Sequence, residues 1–132
     1  MASVIYPKAK EQLLQAGINM SSGAIKAVLI DTGTYTYSAA HNAYDDLSGV
    51  VGTESSAFSD KTFTDGVFNA TDITFSAVTG ATVEAIVIFV DTGTANTDLL
   101  IAYIDSAVSG LPVTPNGGDI TITWNASGIF SL

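Results

Sequence analysis

The hydrophobic pattern is densest between residues 83 and 107. Two apolar runs, 85–90 and 99–104, flank the polar segment Asp91-Thr92-Gly93-Thr94-Ala95-Asn96-Thr97-Asp98. Taken as a strand, the first run sends Val83, Ala85, Val87 and Phe89 to one face and Ile86, Ile88 and Val90 to the other. Apolar residues on both faces mark a strand inside a core. Both runs are short and rich in β-branched residues, which favours strand over helix. The pattern predicts a long central hairpin as the spine of the fold.

The N-terminal segment reads differently. Tyr6-Pro7 opens a run of good helix formers, KAKEQLLQ, with Pro suited to a first turn. Ala9, Leu13, Leu14 and Ala16 form a narrow apolar stripe, and Gly17 offers a stop. This predicts a short helix over residues 7–16, laid against a sheet or a partner. A turn at 18–23 and a strand at 25–30 follow, ended by Asp31-Thr32-Gly33-Thr34. Tyr35-Thr36-Tyr37 reads as a short extension. Ser38 is placed to cap a second short helix carrying Ala40, Tyr44 and Leu47 on one face. Asp45 and Asp46 would sit at the unfavourable end of its dipole, so that helix should be short.

From 48 to 76 the pattern changes to short strands between turns: 50–53, 61–64, 67–69 and 72–76, with Asp65-Gly66 as a hairpin turn. Residues 78–81 turn the chain into the central hairpin, and 110–118, with two prolines and three glycines, can only be loop. Ile120-Thr121-Ile122-Thr123-Trp124 alternates cleanly, and a turn at 125–128 leads into a last strand at 129–131. About eight short strands with regular turns predict a mainly β, single-domain antiparallel β-sandwich or jelly roll with a short N-terminal helix. The whole of 1–132 is taken as one domain, with 1–17 as an N-terminal arm and 18–132 as the β core.

Composition narrows the function. The chain has 132 residues, 47% hydrophobic and 13% charged, which excludes a disordered chain. Thirteen acidic residues stand against four lysines and no arginine, a net charge of −9. That balance argues against nucleic acid and against an anionic membrane surface, both of which require clustered cations. It suits docking to a basic or mainly apolar protein surface. No cysteine is present, so disulfides and thiolate metal sites are ruled out. No run is long enough to span a membrane, and the N-terminus lacks the apolar region of a secretory signal, so synthesis in the cytosol is expected.

Each candidate for chemistry has a plainer alternative. Asp31-Thr32-Gly33 and Asp91-Thr92-Gly93 both follow apolar strands, as the catalytic tripeptides of aspartic proteases do, where two carboxylates share a proton and activate water. Lys26–Thr34 and Glu84–Thr94 echo each other, with two extra residues in the second copy. The chain is too short for two protease lobes, and no apolar-apolar-Gly segment follows Asp91. The expectation is therefore two turns in which Asp starts the turn and Gly takes a positive φ. His41 is the only histidine, so a His-based metal cluster is ruled out, and without a Gly-x-Ser-x-Gly elbow it reads as a polar helix position. Asp60, Asp65, Asp72, Asp98, Asp105 and Asp119 lack the spacing of a Ca²⁺ loop and read as turn carboxylates. Three Asn-x-Ser/Thr tripeptides, at Asn19, Asn69 and Asn125, carry little weight without a secretion signal. Gly117-Gly118, with no following Lys-Ser/Thr, reads as a turn. No catalytic, cofactor-binding or metal residues are assigned, and an enzyme is not expected.

Several segments together resemble small structural proteins of tailed bacteriophages. These are Tyr6-Pro7-Lys8 with its helix, Ala27–Gly33 with Tyr35-Thr36-Tyr37-Ser38, Val83–Thr94, Gly110–Ile120, and Ile122-Thr123-Trp124-Asn125. The resemblance spans most of the chain and carries no catalytic signature. It implies a capsid decoration (cement) protein assembled in the host cytoplasm. Such a protein binds the major capsid protein on the outer surface of the virion, often as a dimer or trimer, and needs no cofactor. A phage tail or fibre module that binds a host surface is the alternative, and an aspartic protease using Asp31 and Asp91 the more distant one. In the decoration reading, residues 2–17 are expected to form an arm that reaches a neighbour.

Overall fold

The computed structural model describes residues 4–105 and 108–132. The start of the expected arm, and Ser106 and Ala107 at the end of the central stretch, lie outside the described residues. In chain order the elements are β1 (Val4–Ile5), α1 (Pro7–Leu14), β2 (Ala24–Ile30), β3 (Val50–Val51), β4 (Val67–Phe68), β5 (Ile73–Phe75), β6 (Ala85–Asp91), β7 (Leu100–Ile104), β8 (Val108–Ser109), β9 (Ile120–Trp124) and β10 (Phe130–Ser131). A five-stranded sheet runs β1-β7-β6-β2-β3, a three-stranded sheet β5-β9-β8, and β10 pairs with β4. Every pairing is antiparallel. The chain is mainly β with a short N-terminal helix, consistent with a single-domain β-sandwich; a jelly-roll strand order does not emerge.

The central hairpin forms as the pattern predicts. β6 and β7 pair from Ile86↔Ile104 to Ile88↔Ala102, then shift register to Phe89↔Leu100. Both are buried on both faces, because the large sheet is covered twice. On the face of Val87, Phe89 and Tyr103 lies the segment after β2: Tyr35 and Tyr37 pack on Tyr103, and Tyr44 meets Phe89 edge-on at 5.0 Å. On the opposite face Ala102 and Ile104 share a wall with Ile129 and Phe130. β9 shows the one-sided case: Ile120, Ile122 and Trp124 are buried while Thr121 and Thr123 are exposed.

Several local expectations change. Tyr35–Tyr37 is not a strand; its tyrosines are spent covering the large sheet. The helix expected after Ser38 shrinks to one 3₁₀ turn at Tyr44–Asp46. The Asp46 carboxylate accepts the N–H groups of Asn42 (2.9 Å) and Ala43 (3.2 Å), which competes with helix propagation. The strand at 61–64 reduces to one bridge, Thr62↔Asn69. The hairpin turn itself is present. Asp65 (φ 55, ψ 32) and Gly66 (φ 78) are both left-handed and Val67 N–H bonds back to the Thr64 carbonyl, a type I′ turn. Helix α1 ends at Leu14, with Ala16 N–H bonded to Leu13 O and Gly17 N–H to Gln12 O. That is a Schellman end whose left-handed residue is Ala16 (φ 60), one position before the expected glycine. Leu14 is therefore not part of a buried stripe; it is 89% exposed.

The N-terminal arm is built into the domain from Val4 onward. β1 pairs with β7 through Val4↔Tyr103 and Ile5↔Ala102, and Tyr6 and Ala9 are in the core. A free arm reaching a neighbour does not describe these residues, because removing them would strip an edge strand and core side chains together.

Candidate docking surface

The two Asp-Thr-Gly turns lie at opposite ends of one strand pair. β2 and β6 run antiparallel from Ala24↔Asp91 to Ile30↔Ala85, so the echoing segments are sheet neighbours. At about 3.4 Å per residue the two aspartates are roughly 24 Å apart along the sheet. They cannot share a proton within one chain. Each carboxylate instead holds its own turn: Asp31 Oδ1 accepts Gly33 N–H at 2.9 Å, and Asp91 Oδ1 accepts Gly93 N–H at 2.9 Å. Asp91 Oδ2 also pairs with Lys26 Nζ at 2.6 Å, which with the Gly93 N–H holds its carboxyl below the usual carboxylate range. Lys26 reaches Glu54 as well, at 2.9 Å, and the two partners push its ammonium pKa up. The glycine at 49 serves the first turn: its φ is +65°, and a Cβ there would stand 2.8 Å from the Asp31 carbonyl oxygen.

Several of the other polar candidates are likewise engaged by nearby groups. Buried Asp98 accepts Thr92 N–H (2.6 Å) and Thr92 Oγ1 (2.7 Å), closing the loop between β6 and β7. Asp72 accepts Trp124 N–H, Asp119 accepts Ala77 N–H, and Asp60 accepts the Thr71 hydroxyl. Asn19, Asn69 and Asn125 each take backbone N–H groups within three residues of themselves. Gly117-Gly118 is a turn, with Gly118 N–H donated to Asn116 Oδ1. Among the described residues no group of three or more His, Asp or Glu is placed to hold a metal ion. No helix of the described residues is long and apolar enough to cross a membrane.

His41 belongs to a hydrogen-bond chain that spacing in sequence does not reveal. Tyr6 Oη lies 2.8 Å from Tyr35 Oη, and Tyr35 Oη lies 2.7 Å from His41 Nδ1. The order that uses both hydroxyl protons has Tyr6 donating to Tyr35 and Tyr35 donating to a neutral Nδ1. Burial first, and then the Tyr35 hydroxyl, push the Tyr6 phenol pKa up, so neither tyrosine is set up to ionise near neutral pH. The chain ties the start of α1 to the segment that covers the large sheet. It is a structural pin.

The fold also leaves an apolar region exposed. A groove of about 810 Å³ runs between α1 (Lys10, Leu13, Leu14), the open edge of the large sheet (Ile5, Ile104) and the end of β10 (Phe130, Leu132). Through Leu13, Phe130 and Leu132 it continues into a smaller hollow, about 90 Å³, that ends at Met20, Phe63 and Gly66. Among the described residues the exposed large hydrophobics all belong to this region: Leu14, Leu132 (74% exposed) and Phe63 (41%). Lys10 is the single charged side chain in the lining of the two hollows. Contiguous exposed apolar strips of this kind mark contact surfaces for protein or membrane, or ligand grooves. The comparison with protein-family models finds no match, and no curated protein matches the chain. The groove escaped sequence reading because Leu13 and Leu14 look like one buried stripe until the helix is seen to stop at Leu14.

Proposed function

We propose that this chain is a non-enzymatic structural protein of a tailed-phage head, binding the outer capsid surface through the major capsid protein as a decoration (cement) protein. The observation that supports it is the apolar groove, with Leu14 and Leu132 held open to solvent on a rigid β scaffold. Asp31 and Asp91, the two carboxylates a protease pair would use, are each engaged in holding a turn. Burying one leucine side chain at a contact contributes about 1.5–3 kcal/mol before ordering costs. A protein that binds only the assembled shell stabilises the shell by mass action, and this needs neither cofactor nor catalysis. The acidic surface keeps such a protein off packaged nucleic acid. In this reading the protein assembles in the host cytoplasm and ends on the virion exterior.

The test is location and copy number. Heads purified from an infected host should carry the protein in a fixed ratio to the major capsid protein, and stripped heads should rebind it and resist heating better. Recovery with tails alone, or saturable binding to a host-surface glycan without head binding, would move the assignment to a tail or fibre module.

A further inference from the structure

We propose that the open edge of β5 takes an extended, lysine- or arginine-bearing segment of a partner protein, added to the three-stranded sheet as a further strand. This contact is separate from the groove and does not rest on the head assignment. Trp124 N–H is donated to Asp72 Oδ1 at 3.0 Å, so the main chain of β9 faces β5 at Trp124 and, by alternation, at Ile122 and Ile120. Their partners Ile73 and Phe75 therefore exchange the ladder bonds. Thr74 lies between them in the pair without ladder bonds. Its hydroxyl meets that of Thr121 at 3.1 Å, and its N–H and C=O point away from β9. Among the described residues no strand pairs with β5 on that side. Unpaired main-chain groups on a sheet edge are a template for another strand.

A slot is built beside this edge. It measures about 290 Å³, and its opposite wall is the segment 56–59. That wall is fixed on β2, because Ser55 N–H bonds to Ala27 O at 2.8 Å and Phe58 N–H to Ile25 O at 2.7 Å. Thr71 N–H donates to Ser59 O at 3.0 Å and ties the two walls together. A slot held open in this way costs a ligand little reorganisation. Ser56, Ser59, Thr71, Asp72 and Thr74 line it with hydroxyls and one carboxylate, which suits the donors and acceptors of a peptide main chain. Charge selects the sequence. Among the described residues Asp72 Oδ2 has no partner, and Asp60 stands next to the slot with its Oδ2 on the Thr71 hydroxyl at 3.1 Å. No ion pair of the described residues reaches either carboxylate. Lys61, next to Asp60 in sequence, is held by the carbonyls of Met20, Ser21 and Gly23. A cationic side chain on the incoming strand, opposite Asp72, supplies the missing charge, and the net −9 of the chain favours such a partner.

The experiment is amide hydrogen exchange of the full chain, read by NMR, with and without an end-capped synthetic peptide that alternates valine and lysine. The valine–glutamate counterpart is the control. In the free protein the Thr74 amide should exchange fast while those of Ile73 and Phe75 are protected. Saturation with the lysine peptide should slow Thr74 exchange by about ten-fold or more, and the glutamate peptide should leave it unchanged. Asp72→Asn keeps the acceptor for Trp124 N–H and should weaken the lysine peptide about two- to five-fold. Thr74→Pro removes the outward N–H at a position where an edge strand tolerates proline, so it should abolish binding at an unchanged thermal transition. A Thr74 amide protected in the free protein, one that the lysine peptide does not slow, equal binding of the two peptides, or a folded Thr74→Pro variant that still binds would overturn the proposal. Should Thr74→Pro fail to fold, exchange in the unaltered chain decides.

Discussion

Replacing Tyr35 with Phe removes one oxygen from the middle of the Tyr6–Tyr35–His41 chain. Tyr6 is fully buried, and Tyr35 is its hydroxyl's hydrogen-bond partner. In Tyr35→Phe that hydroxyl is left inside the core without an acceptor, at a cost of about 1–3 kcal/mol. His41 is half-buried, so its Nδ1 can turn to water, and the second lost bond adds only a few tenths of a kcal/mol. The expected total is about 2 kcal/mol. Tyr6→Phe is milder, about 1 kcal/mol, because Tyr35 keeps His41 and nothing buried is orphaned. The decisive variant is the double. Removing both hydroxyls leaves no buried polar group unsatisfied, so Tyr6→Phe/Tyr35→Phe should be no less stable than Tyr35→Phe alone, and short of the sum by about 1 kcal/mol. Urea unfolding followed by circular dichroism and by Trp124 fluorescence would read this. With a slope of about 1.5 kcal/mol per molar urea, Tyr35→Phe should lower the midpoint by roughly 1.3 M. Strictly additive singles, or a Tyr35→Phe change below about 0.5 kcal/mol, would refute the orphaned-hydroxyl argument.

Lys61 places its ammonium against three carbonyls of one turn, Met20 (2.8 Å), Ser21 (3.2 Å) and Gly23 (2.9 Å). Lys61→Met should cost about 2–3 kcal/mol and speed amide exchange in that turn selectively. Ala16 holds a left-handed φ that glycine adopts freely, so Ala16→Gly should raise stability by up to about 1 kcal/mol, read as a higher urea midpoint at unchanged slope. Acid should destabilise the fold through Asp46 and Asp91. The N–H groups of Asn42 and Ala43 lower the carboxyl pKa of Asp46; Lys26, and then Gly93 N–H, lower that of Asp91. A folded-state pKa below the unfolded value gives stability that is present above the unfolded pKa, about 3.9, and lost as pH falls through the folded one. Thermal midpoints of the wild type should therefore approach those of Asp46→Asn and Asp91→Asn below about pH 4, and a gap that is constant down to pH 2 would contradict the assignment.

The groove and the Asp-Thr-Gly turns show how far local pattern reaches. A carboxylate two residues before a glycine can fold back onto the glycine N–H through local contacts alone, so turns at Asp31 and Asp91 were legible. Their separation was not, because it depends on β2 and β6 lying antiparallel side by side, a fact of pairing between segments about 60 residues apart. The Tyr6–Tyr35 bond, 29 residues apart in sequence, left no local trace either. The helix expected after Ser38 failed because Asp46 offered its backbone neighbours a competing bond.

By itself the sequence determined what short-range chemistry controls: a β protein, a double-faced central hairpin, the Asp65-Gly66 turn and the alternating strand Ile120–Trp124. These follow from side-chain period, β-branching and the φ that a turn demands, each settled within a few residues. Only the tertiary structure decided that the N-terminal segment is an edge of the large sheet, that Tyr35 and Tyr37 cover its face, and that Leu14 stands in solvent beside a groove. Those outcomes depend on which apolar faces find one another once the chain closes, and the faces left over are what a partner can use.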